Sequence, residues 1–243
     1  MNRKPHAATD LASRQSKALK IERVLGLVPG GEPLALLEIG TGSGGIAHYF
    51  GTHPRLSCNV TAVDVNDSRR VHSGYDYLPV EGVALPFGNA SFDVVISNHV
   101  IEHVGDAEAQ LTHLREIQRV LKTDGRAYLA VPNRWMLTEP HYSLKFLSWL
   151  PTSWRSPYLR WSGKGDHYDC EPLSRGQLER MLVATDLSYR NVCLDALRET
   201  LEIERPAARS TRLLRQVPDG LLWPFRGLIP TLIYRLEKNR HAR

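Results

Sequence analysis

The ten residues Leu36-Leu37-Glu38-Ile39-Gly40-Thr41-Gly42-Ser43-Gly44-Gly45 constrain this chain more than any other stretch. An apolar strand ends beside an acid, and a glycine loop and a helix start follow at once. Glycines permit the positive φ values of a tight turn and let a ligand approach bare backbone. A helix running from about Gly45 through Tyr49-Phe50 aims its free amides and positive dipole end at that ligand. A strand, a glycine loop and a helix in this order belong to an α/β fold that binds a nucleoside-bearing cofactor.

Spacing alone does not name the cofactor. Gly40, Gly42 and Gly45 fit the dinucleotide pattern G-x-G-x-x-G, and Asp64, ending Asn59-Val60-Thr61-Ala62-Val63-Asp64, supplies the ribose-binding acid expected about 20 residues on. Glu38 argues against a pyrophosphate, which its carboxylate would repel, and for an ammonium or sulfonium. Further blocks follow in Glu81-Gly82-Val83-Ala84-Leu85-Pro86-Phe87, in Ser91-Phe92-Asp93-Val94-Val95, and in Ser97-Asn98-His99-Val100-Ile101-Glu102-His103-Val104. With these the chain resembles the class I S-adenosylmethionine-dependent methyltransferases, in particular the branch of quinone and small-molecule methyltransferases, over residues 33–135.

The resemblance implies roles. Glu38 matches the acid near the methionine end of the cofactor, and Gly40, Thr41, Gly42 and Gly44 match its loop. Asp64 matches the ribose acid, with Val65 and Asn66 at the adenine edge. Glu81 and Gly82 stand where the family places an Asp that accepts from the adenine amino group, so Glu81 reaches further than usual. Asn98 and His99 flank the methyl donor.

Strand and helix alternate along the chain, which predicts a mostly parallel sheet covered by helices on both faces. Strands are expected near 34–39, 59–65, 78–83, 92–98, 126–131, 188–194 and 231–237. The family's closing hairpin makes the last of these seven antiparallel in a Rossmann-like sheet. A first helix is expected over 9–28, with Thr9 as its cap and Leu11, Leu19, Val24 and Leu25 apolar. Asp106 caps another through Lys122, with Leu111, Leu114, Ile117, Val120 and Leu121 as its buried stripe. Ser174 and Gln177 form a capping box for a helix reaching about Thr185. At 243 residues and 42% hydrophobic content, residues 1–243 suit a single domain. The basic start Met1-Asn2-Arg3-Lys4-Pro5-His6 lacks the apolar core of a secretion signal. Cys58, Cys170 and Cys193 lack the pair spacing of a zinc or redox motif. A cytoplasmic location is expected.

Two lid-like insertions carry the substrate argument. Residues 132–166 hold four of the five tryptophans, Trp135, Trp149, Trp154 and Trp161, among Arg134, Lys145, Arg155, Arg160 and Lys164. Residues 196–230 contain Trp223-Pro224-Phe225-Arg226. From Arg205 onward nine Lys or Arg face only Asp219 and Glu237, a difference of seven that exceeds the net +5 of the whole chain. Tryptophan and cations together suit an anionic membrane surface, with Leu144–Leu150 as a short interfacial turn. A cap over a soluble substrate fits the same residues. Nucleic acid fits less well, for want of an RNA-binding module.

A methyl donor is already activated, so the protein aligns the acceptor and, for a hydroxyl, supplies a base. His99, His103, His141 and His167 are candidates, and His99 is best placed by the family layout. His99-x-x-Glu102-His103 is similar to the E-x-x-E-H element of quinone O-methyltransferases that use a divalent ion, with His99 replacing the first acid. The favoured reading is that Glu102 and His103 orient the turn and that no metal is held. The expected function is O-methylation of a small-molecule, glycan (saccharide) or lipid-linked acceptor. RNA or protein methylation, or a cofactor-binding protein without catalysis, is the alternative. The element Ser97-Asn98-His99-Val100 disfavours N-methylation of DNA or amides, which would call for an Asn/Asp-Pro-Pro-aromatic motif.

Overall fold

The computed structural model describes residues 11–222, 224, 227 and 229–239. Thr9, Trp223, Phe225 and Arg226, all singled out above, lie outside the described residues. Seven strands form the main sheet: β1 (Leu34–Ile39), β2 (Cys58–Asp64), β3 (Asp76–Pro79), β4 (Phe92–Asn98), β5 (Leu121–Pro132), β8 (Leu187–Asn191) and β9 (Thr231–Lys238). Their order is β3-β2-β1-β4-β5-β9-β8. β9 alone runs antiparallel, wedged between β5 and β8. A separate two-stranded ribbon, β6 (Thr138–Glu139) with β7 (Leu144–Lys145), lies outside this sheet.

Consecutive residues of a strand point to opposite faces, and here both faces are buried. Leu37, Ile39, Val63, Val95 and Leu129 pack under α3 (Ala107–Val120) and α5 (Arg175–Val183). Leu36, Val60, Ala62, Val94, Ile96 and Ala130 pack under α1 (Leu11–Leu25), α2 (Gly45–Gly51) and α6 (Cys193–Glu204). This is why the strands read as near-continuous apolar runs. Capping follows the sequence: Asp106 accepts from the amides of Glu108 and Ala109, and Ser174 and Gln177 satisfy each other's backbone. Leu111 is only half-buried.

Several expectations shift: the strand expected at 188–194 ends at Asn191 because Cys193 opens α6, and the helix expected through Lys122 ends at Val120, so that Leu121 begins β5. β3 occupies 76–79 rather than 78–83, because Pro79 lacks the amide a longer ladder needs and Gly82 turns the chain at φ 68°. The second expected insertion, 196–230, begins inside α6, whose Cys193, Leu194 and Ala196 are buried while Arg23 of α1 meets Glu199 at 2.9 Å. Among its described residues, α7 (Arg209–Gln216) and α8 (Asp219–Leu222) stand outside that layer, and Arg215 joins α7 to Glu202 at 2.6 Å. The expected interfacial turn at 144–150 is instead the end of the ribbon followed by a 3-10 turn, Leu147–Trp149. Leu144 and Leu147 are buried with Leu159 of α4 (Thr152–Trp161), Tyr168 and Cys170 in a small core of the lid's own. Among the described residues no helix is long and apolar enough to cross a membrane.

Candidate active site

Strand order reverses between β1 and β4, so the loops leaving these two neighbours diverge and open a crevice at the carboxyl ends of the strands. A cavity of 740 Å³ fills that crevice. The glycine loop forms one wall. Gly40 and Gly44 adopt φ 73° and 80°, where an L side chain is strained. They also have no room for one. A Cβ on Gly40 would lie 2.5 Å from Val100 Cγ2, and one on Gly44 would lie 2.5 Å from the Val71 carbonyl oxygen and strike the Tyr75 hydroxyl.

Glu38 braces this loop from behind. Its Oε2 accepts from Thr41 Oγ1 at 2.6 Å and from the Ala47 amide at 3.0 Å, and the residue is 2% exposed. Burial pushes its carboxyl up to about 8, against the opposing pull of those two hydrogen bonds and of Arg14. Glu38 is not part of the cavity wall, so its charge does not face a ligand directly. Asp64 does line the wall. Its two oxygens accept from the amides of Gly42, at 2.9 Å, and Asn66, at 3.3 Å, which orients the carboxylate and leaves lone pairs for further donors.

Gly40, Thr41, Gly42, Val65, Gly82, Asn98 and His99 all line the cavity with Asp64. Gly44 and Glu81 do not: Gly44 turns the loop into α2, and Glu81 is exposed beside Gly82. His99 is a non-glycine residue at φ 60°, in the left-handed region, a conformation concentrated at functional sites. Its amide donates to the Ala130 carbonyl, and its Nδ1 lies 3.3 Å from Glu102 Oε1. Glu102, on the 3-10 turn Ile101–His103, is 1% exposed.

Of the other candidate bases, His103 and His141 line the cavity and His167 does not. His141 Nδ1 is held at 2.5 Å by Glu139, a carboxylate 1% exposed. His113 also reaches the cavity, but burial lowers it to about 4, so it is a neutral hydrogen-bond partner of Ser97 Oγ at 2.9 Å.

The sequence reading missed Arg14, Lys17 and Lys20, which line the cavity from α1. Their spacing of three places them along one helix face, a signal available in the sequence. Burial lowers Lys17 to about 8, with Arg14 and Lys20 adding to the fall. The lid closes the far side through Met136, Thr138, Pro140 and Asp169. Asn133 ties its base to the C-terminal segment, donating to the carbonyls of Gly227 and Ile229 at 2.7 and 3.0 Å.

A family model described as a methyltransferase domain matches residues 37–129, which run from the glycine loop through β5. Over that stretch the chain is similar to S-adenosylmethionine-dependent methyltransferases. It is 28% identical, over 64% of its length and 60% of the relative's, to a ubiquinone biosynthesis O-methyltransferase of Sinorhizobium medicae. It is 36% identical to a probable S-adenosylmethionine-dependent methyltransferase of Mycobacterium tuberculosis, over 41% of this chain and 36% of the relative. The chain thus spans less than two thirds of the curated relatives it matches. The 1,6-didemethyltoxoflavin N1-methyltransferase of Burkholderia thailandensis, solved with bound S-adenosylhomocysteine, shares the fold with a TM-score of 0.52. Identity there is 18%, over 95% of this chain and 80% of that one. The cavity wall offers bare loop backbone, an oriented Asp64 carboxylate and the Arg14 guanidinium, groups that suit a cofactor carrying ribose hydroxyls and a carboxylate.

Proposed function

We propose that this protein methylates a hydroxyl of a small-molecule, saccharide or lipid-linked acceptor, using S-adenosylmethionine. The observation that supports this best is the pairing, across one cavity, of the cofactor wall with His99, a strained histidine backed by a buried carboxylate. When bound, the cofactor supplies a methyl group already activated on a sulfonium, which leaves the protein alignment and proton removal. Arg14 meets the cofactor carboxylate, Asp64 the ribose hydroxyls, and Val65 and Gly82 the edges of the base. Asn98 positions the acceptor, and His99 accepts the hydroxyl proton while the buried Glu102 carboxylate, 3.3 Å from its Nδ1, stabilises the imidazolium that forms.

Lys17 and Lys20 add a cationic wall that favours an acceptor carrying a phosphate or carboxylate. The lid's outer face supports contact with an anionic membrane. On α4, Trp154 and Trp161 are 66% and 83% exposed, with Tyr158 stacked on Trp161. Arg155 does not contribute to that face: it is buried against Glu171 and the Leu150 carbonyl.

The test is a radiolabelled methyl-transfer screen over quinols, glycans and polyprenyl phosphates, followed by His99→Ala on the best acceptor. Turnover should fall roughly 10²- to 10⁴-fold while cofactor affinity stays constant. Turnover close to wild type would remove His99 from the reaction.

A further inference from the structure

Three separate segments bring metal-ligating side chains together beneath the lid. His103 ends the turn after β4, Glu139 and His141 come from β6 and the bend beyond it, and Asp169 and Cys170 precede α5. Cys170 Sγ stands at the centre, 3.7 Å from His103 Nδ1, 3.7 Å from Asp169 Oδ1 and 3.9 Å from His141 Nδ1. One ligand atom from each of His103, Asp169 and Cys170 lies within 4.8 Å of the others, and the same holds for Glu139, His141 and Cys170. A tetrahedral ion with bonds of about 2.3 Å to sulfur and about 2.0 Å to nitrogen or oxygen separates its sulfur from each other ligand by about 3.5 Å. The two 3.7 Å separations, to His103 Nδ1 and Asp169 Oδ1, lie close to those edges, whereas the 3.9 Å one ends on the His141 nitrogen that Glu139 holds.

The charge balance points the same way. Glu102, Glu139 and Asp169 all act electrostatically on both Cys170 and His141. Glu102 and Glu139 are each 1% exposed, and neither carboxylate oxygen of Glu102 receives a hydrogen bond. Buried carboxylates of this kind are costly unless a cation balances them. The nearby Arg155 is engaged with Glu171, at 3.2 Å, and with the Leu150 carbonyl.

We propose that Cys170, His103 and Asp169 form a three-ligand binding site for a divalent cation, with His141 beside it, and that zinc is the ion this thiolate, imidazole and carboxylate set selects. Glu139 supports the set from outside. It holds His141 Nδ1 at 2.5 Å, which fixes that ring against the Cys170 side of the cluster. On binding, a sulfur–zinc bond forms and the Cys170 thiol proton passes to buffer. The ion pins the segment before α5 to the turn after β4. Because His103 and Asp169 line the cavity, it also fixes that part of the cavity wall. Of the element His99-x-x-Glu102-His103 only His103 is a ligand, so the site was hidden from sequence spacing. It stands on this geometry and not on the proposed methyl transfer.

Full-length protein stripped with a chelator and dialysed against zinc should retain one ion per chain by elemental analysis. Loaded with cobalt(II) instead, it should show a thiolate-to-cobalt charge-transfer band. That band should vanish in Cys170→Ser and persist in Cys58→Ser and Cys193→Ser. Asp169→Asn, which leaves Cys170 and His103 in place, should weaken zinc binding at least about 10-fold and covers the case in which Cys170→Ser does not fold. Zinc retained at less than a tenth of an equivalent, or a charge-transfer band that survives Cys170→Ser, overturns the site. S-adenosylhomocysteine affinity measured on the same samples separates the two readings: intact cofactor binding without zinc overturns the metal site alone.

Discussion

Replacing Asp64 with alanine isolates the contribution of one carboxylate to cofactor binding. Asp64 ends β2 beside β1, and its Oδ2 already receives the Gly42 amide at 2.9 Å. The remaining lone pairs face the cavity, where a ribose would present two hydroxyls. A hydrogen bond to a charged acceptor contributes about 1.5–3 kcal/mol, so losing one net bond weakens affinity about 10- to 150-fold. The Gly42 amide loses its partner as well, and an unsatisfied donor costs about 1–3 kcal/mol if it stays buried. Loosening of the loop therefore adds to the direct loss. Asp64→Asn separates the two effects. Its amide oxygen still accepts from Gly42, but it carries no charge and accepts fewer donors, so its affinity should fall between wild type and alanine. Titration calorimetry with S-adenosylhomocysteine measures all three proteins, and circular dichroism checks that each is folded. An alanine variant that is folded and binds within twofold of wild type would refute the reasoning.

Glu38 makes stability depend on pH. Its folded value, about 8, lies above its unfolded value near 4.5, so its contribution is complete below about 4.5 and is lost as the pH rises through about 8. Glu38→Gln keeps an acceptor for Thr41 but cannot ionise. Urea denaturation at pH 5 and pH 8 should show wild type losing more stability than the variant, and equal losses would show that this carboxyl does not titrate in that window. For the lid, Trp154→Ala with Trp161→Ala should weaken sedimentation with anionic liposomes at low salt and leave cofactor affinity unchanged. Wild type that ignores such vesicles would make the lid a cap over a soluble substrate.

Much of the fold was legible because its signals are local. Asp106 and Ser174 mark helix starts through their own side chains, and the buried strands announce themselves as apolar runs. The cavity wall was legible for the same reason, since the glycine loop, Asp64 and Asn98-His99 each sit at a strand end whose position follows from the alternation. What was not legible depends on packing between distant segments. Leu147 and Arg155 resemble interfacial residues in sequence, yet both are buried once the lid folds on itself. Glu38 reads as facing a ligand, but the turn at Gly40 carries the chain away and leaves its carboxyl behind the loop. The cluster around Cys170 draws on three segments, and no window of sequence contains it.

The position of β9 has a consequence for how the chain is made. It is the last strand in sequence but the next to last in space, lying between β5 and β8. Until residues 231–238 have emerged from the ribosome, β5 presents an unpaired hydrogen-bonding edge and β8 has no sheet to join. A nascent chain in that state holds the glycine loop and Asp64 yet carries an open apolar edge, the kind of surface on which chains pair with one another. Chaperone demand during synthesis should therefore peak late, after β8 and before β9.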